Sequence, residues 1–165
     1  MKSYHAIWIA GVALASLLSA QRAPRTPSQS IKGQFRSVNQ RILEMAKDFP
    51  PDKYDYRPAA GLRSFAEVLV HIASGNVYAA KAGRGENVKW DEMDPKDYKS
   101  KDQVVAMFEK SISDAQATLD ATPDSKFTTT LDPWLSVIEH SAEHYGLLVA
   151  YYRNNGLVPP ASRKQ

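Results

Sequence analysis

The stretch that most constrains this chain is DPWLSVIEHSAEHYGLLVAYYRNN, residues 132–155. Its apolar residues Trp134, Val137, Ile138, Ser141, Tyr145, Leu148 and Tyr152 recur at spacings of three and four, the period of a helix with one face turned inward. Asp132 is placed to cap the first free N–H groups, and Pro133 sits at the first helical position, where its missing N–H costs nothing. Gly156 after two asparagines, then Pro159 and Pro160, end the helix. Within it, His140 and His144 lie four apart and so stack on one face, bordering the apolar stripe. Two imidazoles so placed point into a groove between helices and can share one metal ion.

A helix with one apolar face needs partners, and the rest of the chain supplies three. Ile31, Phe35, Val38, Ile42, Met45 and Phe49 predict a first helix over residues 29–48, stopped by Pro50 and Pro51. After a loop carrying Tyr54, Tyr56 and Arg57, Ser64 and Glu67 form a capping-box pattern ahead of Phe65, Val68, Leu69, Ile72 and Gly75, the second helix. His71 lies beside its inward stripe. Residues 82–99 carry no helical period and many charges, longer than the 2 to 8 residues or so that join antiparallel neighbours, so a crossover is expected and helices two and three should run parallel. Ser100 and Gln103 open a third helix bearing Val104, Phe108, Ile112, Ala115 and Leu119, closed at Thr122 and Pro123. No strand pattern competes. The predicted fold is therefore all-α, a four-helix bundle with one long crossover, an architecture that builds metal sites from side chains on facing helices.

The chain has 165 residues, enough for one domain with a full core. Residues 1–20 read as a secretory signal peptide: Lys2, an apolar run from Ala6 to Leu18, then Ser19 and Ala20. The run is shorter than the roughly 20 residues of a bilayer span, so no stable membrane span is expected once the signal is removed, an uncleaved N-terminal anchor being the alternative. The protein is accordingly expected to be exported, periplasmic or secreted, with residues 21–30 a linker rich in proline and polar residues and residues 31–162 the bundle. Zero cysteines exclude disulfides, thiolate nucleophiles and cysteine metal sites. The net charge of +3 is spread along the chain without a basic stripe, so nucleic acid is not an expected partner. Oligomeric state is open, a homodimer being the commonest symmetric outcome.

Of the four histidines, His5 falls in the signal, and the remaining three, His71, His140 and His144, all lie near inward stripes. Three imidazoles with a fourth position open is the donor set of a catalytic rather than a structural zinc site, suited to activating water or polarising a substrate oxygen. Hydrogen-bonded core histidines would give the same spacing. Among possible supporting residues, Glu67 one turn before His71 can accept its second N–H or serve only the capping box. Asn76, Tyr145, Tyr152 and Arg153 are candidates to line a pocket, although the tyrosines, like Trp134, also suit the core. Glu139 and Glu143 should face solvent.

The elements YRP at 56–58, Ser64 to Ile72 with Glu67 and His71, Asn76, and above all EHSAEHYG at 139–146 followed by YYRNNGLVPPAS resemble the DinB family (DinB/YfiT-like proteins) of metal-dependent enzymes, over residues 31–162. The resemblance implies a divalent transition metal, zinc or nickel, held by His71, His140 and His144. It further implies a metal-dependent hydrolase or a thiol-type transferase acting on a small molecule that is not identified by these motifs. The small thiols of such transferases are kept mainly in the cytoplasm, which an exported chain would not meet. A non-catalytic metal-binding or interaction module is the alternative. Where many members have Gln after the H-x-G, this chain has Leu147, a departure that bears on activity more than on metal binding.

Overall fold

The computed structural model describes residues 25–163, so the signal-peptide segment and the first residues of the expected linker lie outside it. Four helices carry the fold: α1 (Pro27–Asp48), α2 (Phe65–Gly83), α3 (Lys101–Ala121) and α4 (Phe127–Asn154), with no strand among the described residues. The expectation of an all-α four-helix bundle holds.

Local chemistry sets the boundaries. At α1, Thr26 and Gln29 form a reciprocal capping box with Pro27 at the first position. The helix therefore starts before residue 29, and residues 27–30 belong to it rather than to a linker. Ser64 and Glu67 form the expected capping box at α2. Ser100 caps α3 by accepting from the Gln103 N–H. The C-terminus of α4 closes as a Schellman motif: Gly156, at φ +70, donates to Arg153 O, and Leu157 donates to Tyr152 O at 3.0 Å.

The start of α4 departs from expectation. The helix begins at Phe127, and Asp132 and Pro133 lie inside it. The helical path breaks at Thr130, with φ −122 and ψ 16, and the hydroxyls of Thr129 and Thr130 bond to Lys126 O in the turn ahead of the break. Pro133 thus falls in the first turn after the break, where no N–H is required of it. The proline was a sound boundary signal for the straight part of α4; the preceding turn uses threonine hydroxyls instead.

Packing pairs α1 and α2 each with both α3 and α4. The contact Asn76–Ser111 at mid-helix and Arg84–Thr118 at the C-terminal ends show that α2 and α3 run parallel, as the long connection through residues 84–100 requires. Lys101 at the start of α3 bonds the last carbonyls of α1, Lys47 and Phe49, so these two are antiparallel. One end of the bundle is filled by aromatics, with Phe49 stacked on Phe65 at 3.9 Å and Tyr151 and Tyr152 against them. The other end packs Phe35, Ala79, Leu119 and Trp134. At mid-height the helices contribute the buried polar residues Asn39, Ser74, Asn76, Ser111 and Ser141, and the Asn76 amide joins Asn39 and Ser111 by hydrogen bonds. The histidines lie at this level, in the groove between α2 and α4.

Candidate metal centre

Gly75 is what lets the two helices meet closely here. A Cβ at this position would stand 3.0 Å from His140 Nδ1 and 3.2 Å from its Cε1. Because glycine has none, His140 can lean from α4 onto α2, and its Nε2 reaches 2.9 Å from Nε2 of His71. The three ring centroids of His71, His140 and His144 lie 4.4 to 4.8 Å apart, and one ligand nitrogen from each ring falls within 4.8 Å of the others. All three predicted ligands are brought together, by two helices distant in sequence.

Their hydrogen bonds determine which nitrogens face the common point. His144 Nδ1 lies 2.8 Å from His140 O, and a carbonyl only accepts, so Nδ1 carries the proton and Nε2 keeps its lone pair. His71 Nδ1 is 3.1 Å from Glu92 Oε1, close although not aligned as a full hydrogen bond, and the carboxylate again favours the tautomer with Nε2 free. Glu92 is held in turn by Arg63, whose Nη2 is 3.2 Å from both of its oxygens. His140 Nδ1 is buried without a partner, leaving that ring's Nε2 to meet His71.

This donor set fits a divalent transition ion. Nitrogens around a tetrahedral zinc at about 2.0–2.1 Å stand about 3.3 Å apart, so an ion between His71 and His140 needs the rings to open by only a few tenths of an ångström. Burial, followed by the neighbouring His144 and His71, pushes His140 down to about 4, and burial, helped by Arg63, also lowers His71. Both rings are therefore neutral near pH 7, the state a metal ligand requires. Among the described residues no carboxylate joins the three nitrogens within bonding reach, which leaves further coordination to water or a ligand.

Several supporting roles differ from those read in the sequence. Glu67 does not reach His71: its carboxylate is taken by a bidentate pair with Arg57 and by the Ser64 N–H, so it serves the capping box, and the carboxylate at His71 is Glu92. Asn76 belongs to the buried polar layer rather than to a pocket. Tyr152 is core, its hydroxyl donating to Met45 O, while Arg153 is exposed and Tyr145 lies under the Arg41 guanidinium. Trp134 is fully buried and Glu139 and Glu143 are exposed, as expected.

Glu92 and Trp90 came from the connection 84–100, where no periodicity assigns a direction to any side chain; a lone tryptophan amid charges was the sole hint. Trp90 is half-exposed and borders His71, His140 and Tyr78 at centroid distances of 5.7, 6.2 and 6.0 Å. The connection is held to α2 by Met93 N donating to Ser74 Oγ at 3.0 Å. Leu147, one turn beyond His144, is exposed. No described helix is long and apolar enough to cross a membrane.

Comparison with known proteins agrees with this geometry. No curated protein matches the chain. The family model described as the DinB superfamily matches residues 34–151, from α1 through the histidine pair to Tyr151 and well over half of the sequence. The match takes in all three histidines, and with the helical bundle that carries them it establishes that this chain belongs to the DinB superfamily.

Proposed function

We propose that this protein is an exported metalloenzyme of the DinB superfamily that holds one divalent transition ion, zinc or nickel, through Nε2 of His71, His140 and His144, and acts as a hydrolase or group transferase on a small molecule. The observation that carries the reading is the convergence of these three nitrogens with His144 and His71 held in the tautomer that frees Nε2. Bound there, the ion would act as a Lewis acid on an oxygen donor. The protein's own contribution is to keep His71 and His140 neutral, to orient His144 through His140 O and His71 beside Glu92, and to leave His140 bordering a cleft lined by Trp90 and Tyr78. That cleft favours catalysis over a storage or interaction module, which needs no space beside the ion. Export is supported by the apolar run from Ala6 to Leu18 behind Lys2.

Metal analysis of purified protein tests the site. One ion per chain is expected in the wild type and none in His140→Ala/His144→Ala; equal content in the two would refute the proposal. Fractionation of expressing cells tests export, and recovery of full-length protein in the cytoplasm alone would refute that part.

A further inference from the structure

Beside His140 lies a cleft of about 190 Å³ with almost no polar lining. Its walls are Tyr78 and Trp90, and Pro133 and Val137 close its α4 side. Two of its residues are notable for what they lack: Pro133 has no backbone N–H, and Gly75 has no side chain. Apart from the imidazole, the lining residues carry as polar side-chain groups only the Tyr78 and Ser136 hydroxyls and the Trp90 indole N–H, and no Lys, Arg, Asp or Glu contributes to it. A charged or richly hydrogen-bonding group entering this space would lose its water without replacement. An apolar cavity of about 150 Å³ is large enough to take benzene. The half-exposed Trp90 is the large apolar side chain at this rim, and an entering ring would cover it.

We infer that this cleft is a recognition site for an uncharged, flat, apolar group of about the size of a benzene ring, carried on a ligand whose oxygen donor lies toward the three histidines. The inference rests on the metal reading for the donor end alone; the ring site stands on the cleft itself. It assigns the substrate class as small aryl compounds bearing an oxygen donor, and it assigns Trp90 and Tyr78 to specificity. The wall and the histidine support are also carried on one segment, since Trp90 and Glu92 both lie in the connection pinned by Ser74.

Two measurements separate this inference from the metal reading. In metal-free protein, fluorobenzene followed by fluorine NMR should show saturable broadening that is lost in Ser136→Trp, which fills the cleft from its rim, and weakened in Trp90→Ala. In zinc-loaded protein, calorimetry should show benzohydroxamate binding about 10- to 100-fold tighter than acetohydroxamate, as burial of a phenyl group predicts. The preference should fall toward unity in Ser136→Trp, with acetohydroxamate affinity and zinc content unchanged. No saturable fluorobenzene binding, or a preference that persists in both variants, overturns the cleft whatever the metal content. Failure to retain zinc, with fluorobenzene still bound, overturns the metal reading and leaves the cleft standing.

Discussion

Replacing Gly75 by alanine tests the site through a residue that ligates nothing. The added Cβ would stand 3.0 Å from His140 Nδ1 and 3.2 Å from Cε1, against about 3.5–4.0 Å for a comfortable contact, so the ring must retreat by about half an ångström. Ligand distances at a metal tolerate about 0.2 Å, so His140 should no longer close the site in full, and a loss of affinity on the order of 10- to 100-fold is expected, as when ligand-orienting groups are removed. For the fold itself the helix gains about 0.5–1 kcal/mol on losing a glycine, while local overpacking costs about 1–3 kcal/mol. The metal-free variant should therefore remain within about 2.5 kcal/mol of wild type. An ion at 100 times its dissociation constant stabilises a native state by about 2.7 kcal/mol, and by about 0.4 kcal/mol when affinity falls 100-fold. At about 3–5 °C per kcal/mol for a domain of this size, the ion-dependent rise in Tm should shrink from about 8–13 °C to about 1–2 °C for a 100-fold loss and about 4–7 °C for a 10-fold loss. Thermal unfolding with and without zinc measures this directly. Gly146→Ala is the control: its Cβ meets nothing within 4 Å, so the ion-dependent shift should be retained. A Gly75→Ala protein that keeps the full shift would refute the argument that the absent side chain lets His140 reach His71.

Glu92→Gln removes the charge beside His71 Nδ1 and should weaken metal affinity about 10-fold without loss of fold, read by competition with a chelator and by circular dichroism. Gly83→Ala places a Cβ 2.5 Å from Cζ2 of the buried Trp134, a rigid ring without room to yield, so it should destabilise by at least about 1–3 kcal/mol in urea unfolding. The Arg163 guanidinium, chiefly by hydrogen bonding, and the Tyr152 hydroxyl hold the Asp48 carboxyl below its usual value. A lowered folded pKa gives stability that is present above the unfolded value of about 3.9 and lost as pH falls through the folded one. Asp48→Asn should therefore flatten the acid limb of the stability–pH curve below about pH 4, and an unchanged limb in acid titration would assign the loss to other carboxylates.

Much of the bundle was legible because a helix is a local object. The stripes of α1, α2 and α3, the caps at Ser64 and Ser100 and the terminating Gly156 all depend on neighbours within a few residues, and each stands where the sequence places it. Local competition explains the misplacements: Thr26 with Gln29 draws residues 27–30 into α1, and the threonine hydroxyls add a turn ahead of Pro133. The three ligand candidates were also legible, since His140 and His144 share a face by spacing alone and His71 lies beside the stripe of α2.

What surrounds those histidines was decided by tertiary structure. Whether Glu67 or Glu92 stands at His71 depends on where Arg57 and the 84–100 connection fold, and neither path has a period. That Gly75 opposes His140, and that Trp90 closes a cleft beside it, depends on how α2 and α4 are set against each other. Periodicity gives the direction of a side chain about its own helix axis. Only the packing of separate elements determines which of those directions converge.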